Sequence, residues 1–149
     1  MAETQTVSQG VRVEEEGGGR FAQAIRIGRH RLSGDEPVSL GGTDAGPSPY
    51  DLLLASLGSC TNMTLRMYAA RKGWPLEKVA VTLVTERIYA KDCEECETAT
   101  GKVDRIDRVI ELEGPLSDEQ KARLLEIADM CPISRTLTSE VVIRSRLEA

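Results

Sequence analysis

The sequence predicts an α+β domain in which helices pack against a mostly antiparallel sheet, in the order β-β-α-β-β-α-β. Three observations carry that expectation. Segments of alternating apolar residues recur along the chain, two helical runs open on capping boxes, and Gly- and Pro-rich stretches mark the boundaries. The length of 149 residues suits one domain, 1–149. Folding a chain of that size buries roughly 70% of its unfolded surface.

The elements follow in order. EEEGGGR, residues 14–20, reads as a hairpin turn between a strand at 7–13 and a second at 21–32, where Ile25 and Ile27 alternate with polar residues. Residues 34–49, GDEPVSLGGTDAGPSP, form a connecting loop of a length that is often functional. Ser48 then caps a helix, Pro49 suits its first position, and Asp51 stands three residues after the cap. That helix runs through YDLLLASLGSCTNMTLRMYAARK to a stop at Gly73, a length of about 34 Å. Leu53, Leu57, Cys60, Thr64 and Met67 share one face, and Leu52, Leu54 and Leu65 lie off it, so the helix is expected to be surrounded.

Strands are predicted at 79–90 and 103–112, joined by a connection that holds CEEC. Ser117 and Gln120 make the capping box of a second helix, whose inner face is marked by Ala122, Leu125 and Ala128. A short helix from Pro132 to Ser139 and a strand at 141–147 close the chain.

Composition excludes several function classes. A net charge of -5 and 3% aromatic residues disfavour a nucleic-acid partner, which needs phosphate-neutralising cations and stacking rings. No basic start followed by an apolar run marks a signal peptide, and no stretch approaches the roughly 18 apolar residues of a membrane span. A cytoplasmic location without membrane attachment is expected. In that reducing compartment, the four cysteines imply metal, redox chemistry or packing rather than a disulfide framework.

The cysteines differ in setting. Cys60 lies mid-helix, either as a small core residue or, with small Gly58 and Ser59 before it and polar Thr61 and Asn62 after it, as a thiol open to substrate. Cys131 stands directly before Pro132 and so caps a helix, where unpaired N–H groups stabilise a thiolate; it equally fits a residue filling a helix corner. Cys93 and Cys96 sit among Asp92, Glu94, Glu95 and Glu97, whose charge works against a nucleophilic thiolate. Acidic surroundings suit a cation, but zinc needs four ligands and this motif supplies two. His30 is the one histidine, on an expected strand beside Arg29 and Arg31. Positive charge for a thiolate must otherwise come from Arg20 or Arg135.

Two of these segments together, GPSPYDLLLASLGSCTNMTLRMYA with Cys60 and LLEIADMCPISRTL with Cys131, resemble the OsmC/Ohr family of osmotically inducible and organic hydroperoxide resistance proteins. GGGR near the start and the closing segment agree with it, so the resemblance covers nearly the whole chain. It implies an intertwined homodimer, with sheets wrapped around long central helices and active sites at the subunit interface. It also implies a thiol peroxidase for small organic hydroperoxides in oxidative stress defence, regenerated by an external dithiol and needing no cofactor. Carried over, Cys60 is the attacking cysteine, Cys131 the resolving one, and Arg20 the arginine that holds the thiolate.

One position departs from the family pattern. Peroxidase members carry a glutamate ten residues before the attacking cysteine, and this chain has Tyr50 there with Asp51 next to it. Tyr50, Asp51 and Arg135 are therefore supporting candidates, and Leu53, Leu57, Met63 and Met67 are the expected substrate pocket. Two other readings remain open: a dimeric module binding a small ligand without turnover, and a structural zinc at Cys93 and Cys96.

Overall fold

The computed structural model describes residues 10–148. The chain divides into two compact units, the first ending at Leu53 and the second beginning at Leu54. The long helix α1, Pro49–Lys72, starts in the first and runs through the second. Among the described residues, no helix is long and apolar enough to cross a membrane.

The first unit carries a three-stranded antiparallel sheet, β1 (Val11–Glu15), β2 (Gln23–Ile27) and β3 (His30–Gly34), in that spatial order. The β1–β2 connection is the expected EEEGGGR turn; of the expected first strand, residues 7–9 lie outside the described region. The single strand expected at 21–32 is instead two. Gly28 takes φ 58 at the first position of a two-residue loop, and Ile27 pairs with His30 across it. Glycine in that first position is what a type II′ hairpin requires.

Past β3, the Gly- and Pro-rich loop is organised by one buried carboxylate. Asp35 accepts the Thr43 hydroxyl at 2.6 Å and the N–H groups of Glu36, Thr43 and Ala45 at 2.8, 3.1 and 3.1 Å. These donors, the Thr43 hydroxyl foremost, hold its carboxyl down at about 2. The close folding leaves no room at Gly42, where a Cβ would meet the Glu36 carbonyl oxygen at 1.9 Å. Ser48 and Asp51 then exchange the two bonds of a capping box, 3.0 and 3.2 Å, at the start of α1.

The second unit holds a long antiparallel ribbon of β4 (Lys78–Tyr89) and β5 (Lys102–Glu113), followed by α2 (Asp118–Ala128) and α3 (Pro132–Leu137). Its core is Leu65 and Ala69 of α1, Leu76, and Leu124, Ile127 and Ala128 of α2, with Tyr68, Trp74, Ile110 and Leu112 packed around it. The buried face of α1 is thus Leu57, Gly58, Thr61, Leu65 and Ala69, rotated from the stripe expected through Cys60 and Met67. The inner face of α2 is likewise shifted, to Leu124, Ile127 and Ala128, and Leu125 is exposed. Apolar residues stand at 122, 124, 125, 127 and 128, so several faces satisfy the helical period, and contact with α1 selects among them.

The closing strand expected at 141–147 is absent: residues 140–148 have no regular structure, and Val141, Val142, Ile143 and Leu147 are exposed. A strand needs a partner edge, and none of β1–β5 pairs with this segment. The observed order is therefore β-β-β-α-β-β-α-α, still α+β with antiparallel sheets.

Candidate active site

Cys131 is placed by local sequence. Pro132 opens α3 without needing an N–H partner, and Cys131 before it takes the extended N-cap conformation, φ -64 and ψ 144. Its Sγ accepts the Ser134 N–H at 3.3 Å. The residue is wholly buried.

Cys60 is half-buried in the middle of α1. The next residue, Thr61, is wholly buried against the second thiol, its Oγ1 3.9 Å from the Cys131 Sγ. Its hydroxyl also lies 2.8 Å from the Leu57 carbonyl oxygen, the i−4 back-bond that threonine makes inside helices.

Arg108 completes the group. Its Nη1 donates to Thr61 Oγ1 at 3.0 Å, and its Nη2 pairs with Asp129 Oδ1 at 2.8 Å, at the end of α2. The Arg108 side chain is only 13% exposed, against 80% for Asp129. Gly58 makes this approach feasible: a Cβ there would stand 2.9 Å from Leu83 Cδ1, and Leu83 pairs with Arg108 across the ribbon. The space that small Gly58 leaves beside Cys60 is thus taken up by β4. A cavity of about 490 Å³ adjoins the group, with Leu57, Arg108, Ser134 and Leu137 in its wall and Glu95, Asp104, Asp107 and Asp129 adding carboxylates.

Thr61 as a partner of the sulfur and Arg108 as the nearby cation were missed from sequence. A signal existed for Arg108. It occupies the inward position in the alternation Ile106, Arg108, Ile110, Leu112, where a charge demands a partner.

The other expected residues are distributed as follows. Arg20 lies exposed in the first unit, its guanidinium 4.9 Å from the Phe21 ring centroid. Tyr50 is exposed on the first turn of α1. The Asp51 carboxylate is engaged by the Ser48 N–H, which holds its pKa below the usual range. Arg135 bonds through its backbone N–H to the Cys131 carbonyl at 3.1 Å, and its side chain is exposed. His30 opens β3, exposed.

The four pocket residues do not share one cavity. Leu57 lines the cleft by Arg108, and Met67 lines another of about 800 Å³ with Tyr68, Ile127 and Met130. Leu53 and Met63 are exposed. Cys93 and Cys96 are joined in a disulfide, with Cα atoms 5.5 Å apart, in the tip between β4 and β5. The expectation that these cysteines build no structural disulfide is corrected at this one pair: the three-residue spacing and the turn bring both sulfurs together, and neither is a free thiolate for zinc.

On this α+β frame a buried, helix-capping thiol packs against Thr61 of the helix that also carries a second, half-buried thiol. The family profile described as OsmC-like protein matches residues 42–146, and the chain belongs to that family. Solved structures share the fold. An OsmC-like protein from Mycoplasma pneumoniae is similar at a TM-score of 0.68 and 18% identity, covering 87% of this chain and 86% of that one. An organic hydroperoxide resistance protein OsmC from Legionella pneumophila gives 0.61 and 22%, covering 86% and 87%. A third, from Vibrio cholerae with captopril bound in one of its active sites, gives 0.60 and 15%, covering 91% and 89%. Among curated proteins, no sequence matches the chain.

Proposed function

We propose that this chain is a thiol-dependent peroxidase that reduces small organic hydroperoxides. The carrying observation is the burial of Cys131 against Thr61, one residue from Cys60 on the same helix. Cys60 thiolate attacks the distal peroxide oxygen; an S–O bond forms, the O–O bond breaks, and the leaving alkoxide takes a proton to become alcohol. Cys60, oxidised by two electrons, is then a sulfenic acid. Cys131 thiolate attacks that sulfur, an S–S bond forms, and hydroxide leaves as water after protonation. An external dithiol returns both thiols by two exchange steps. Arg20 is the cation proposed to hold the Cys60 thiolate. Leu53, Leu57, Met63 and Met67 are proposed to favour an apolar substrate.

The working unit is proposed to be a homodimer with the sites at its interface. Exposure of Met63, Met67 and the apolar residues of 140–148 supports it, because a second subunit would cover them.

A binding module without turnover is favoured by one observation: Tyr50 stands where peroxidase relatives have a glutamate, and the neighbouring Asp51 is occupied by Ser48. Intact-mass and peptide mapping after one equivalent of cumene hydroperoxide separates the two. A Cys60–Cys131 disulfide in the wild type, absent in Cys60→Ser, is expected of the peroxidase; two unmodified thiols would leave the binding module.

A further inference from the structure

We propose that Thr61 and Arg108 are positioning residues for the charge on the Cys131 sulfur, with the Thr61 hydroxyl reversing its hydrogen bond when that sulfur ionises. The purpose assigned to that charge rests on the peroxidase reading; the hydrogen-bond reversal itself does not.

Thr61 Oγ1 has one hydrogen and three neighbours: the Leu57 carbonyl at 2.8 Å, the Arg108 Nη1 at 3.0 Å and the Cys131 sulfur at 3.9 Å. Arg108 only donates, so the oxygen must accept from it. While Cys131 is a thiol, its S–H donates to the second lone pair of Oγ1, and Thr61 donates to Leu57. Once Cys131 is a thiolate, it has nothing to donate, and the Thr61 hydrogen turns to the sulfur.

The turn leaves nothing orphaned. The Leu57 carbonyl keeps the Thr61 backbone N–H, its i+4 partner within α1. Arg108, tied at its other end to Asp129, fixes the oxygen in both states and polarises its O–H toward the anion. The Ser134 N–H at 3.3 Å is a constant second donor to the sulfur. The charged and titratable groups about Cys131 and its adjoining cleft are Arg108, Asp104 and Asp107 from β5, Glu95 from the ribbon tip, Asp129 at the end of α2, Cys60 beside Thr61 on α1 and Arg135 on α3.

This also accounts for the placement of Arg108. An arginine in an apolar strand face is costly unless paired and bonded, and here both of its terminal nitrogens are engaged. Its position behind a hydroxyl, rather than on the sulfur, lets Cys131 bear charge without an ion pair that would have to break when Cys131 attacks.

The test uses the Cys60→Ser protein, in which Cys131 is the one free thiol. The probe is dithiodipyridine, a neutral aromatic disulfide whose released thiopyridone is read by absorbance as Cys131 displaces it. Thr61→Val removes the hydroxyl at nearly constant volume, Thr61→Ser restores it, and Arg108→Gln removes the cation. Loss of one hydrogen bond to a charged group is expected to slow Thr61→Val about tenfold near pH 7. Near pH 10 the rates are expected to converge, because a hydroxyl that acts by favouring the anion gives no advantage once base has removed the proton. Thr61→Ser should react within about twofold of the parent, and Arg108→Gln should show the same slowing and convergence as Thr61→Val.

Equal rates for Thr61→Val and parent near pH 7 would overturn the proposal. So would an equal slowing at both pH values, which reports packing or access rather than charge. Should Thr61→Val fail to fold, by circular dichroism, Arg108→Gln is read against the same two outcomes, and a Thr61→Ser rate more than about tenfold below the parent near pH 7 would also overturn the proposal. Absence of a Cys60–Cys131 disulfide in peroxide-treated wild type would sink the peroxidase reading and leave this comparison standing.

Discussion

Thr61 Oγ1 and the Cys131 sulfur, 70 positions apart in the chain, lie 3.9 Å from each other in the buried interior of the second unit. The contact brings the turn that carries Cys60 and the capping residue of α3 to one place.

That arrangement makes the two thiols separable by mutation. Cys131→Ser is expected to leave the first peroxide step intact and to stop at a Cys60 sulfenic acid. Trapping with dimedone after one equivalent of cumene hydroperoxide should give a single adduct on the Cys60 peptide. Turnover with dithiothreitol should fall by about an order of magnitude or more, as for the loss of a positioned reacting group. Undiminished turnover would remove Cys131 from the cycle.

The disulfide at the ribbon tip is expected to be dispensable for chemistry. Its cysteines stand among four carboxylates, and only Glu95 of that group reaches the cleft beside Arg108. Replacing Cys93 and Cys96 with serine should leave peroxide turnover within about twofold, while hydrogen exchange speeds up between residues 90 and 101. A tenfold loss of turnover would give the pair a part in electron transfer.

Asp35 sets an acid limit on the first unit. Its carboxyl is held at about 2 when folded, below the roughly 3.9 of an unfolded aspartate. Because the folded value is the lower one, its contribution is fully present above about pH 4 and is lost as pH falls toward 2. Asp35→Asn should therefore be less stable than wild type at neutral pH in urea titration, and the gap should close toward pH 2. A gap independent of pH would point to shape rather than charge.

Leu124 has no exposed surface in the core between α1 and α2. Leu124→Ala should cost about 3 kcal/mol, within the range for buried leucines. Chemical denaturation would show it as a lower midpoint at unchanged slope.

The exposed apolar tail offers a test of assembly. Sedimentation of the wild type is expected at twice the 16.3 kDa chain mass, and truncation after Ser139 should shift it toward one chain. A wild type that sediments as a single chain at micromolar concentration would exclude the dimer.

How much of this was readable beforehand depended on range. The Ser48–Asp51 and Ser117–Gln120 caps and the Cys131 N-cap were legible because each is written within four residues. The two strands of the ribbon were legible from alternation. The Gly28 turn is marked only by a change of phase, from odd-numbered Ile25 and Ile27 to even-numbered Leu32, and that change rests on a single apolar residue. Which face of α2 turns inward was not readable, since its apolar residues satisfy several faces and the choice is made by Leu65 and Ala69 from another helix. Thr61 and Arg108 were missed for a related reason. Their meeting requires Gly58 to admit Leu83, a condition no local pattern states.

Lys78 to Tyr89 pairs rung by rung with Glu113 to Lys102, and the half-buried Ile106, Arg108, Ile110 and Leu112 all fall on one side. A slip of a single residue would turn that whole side to water and strand Arg108 away from its partners. The alignment is thus secured along the stem and not by the bend that joins the strands. Residues 91–100, Glu95 of the cleft wall apart, are accordingly the part of the ribbon most open to change in length or content, and loop grafting in this protein would best begin there.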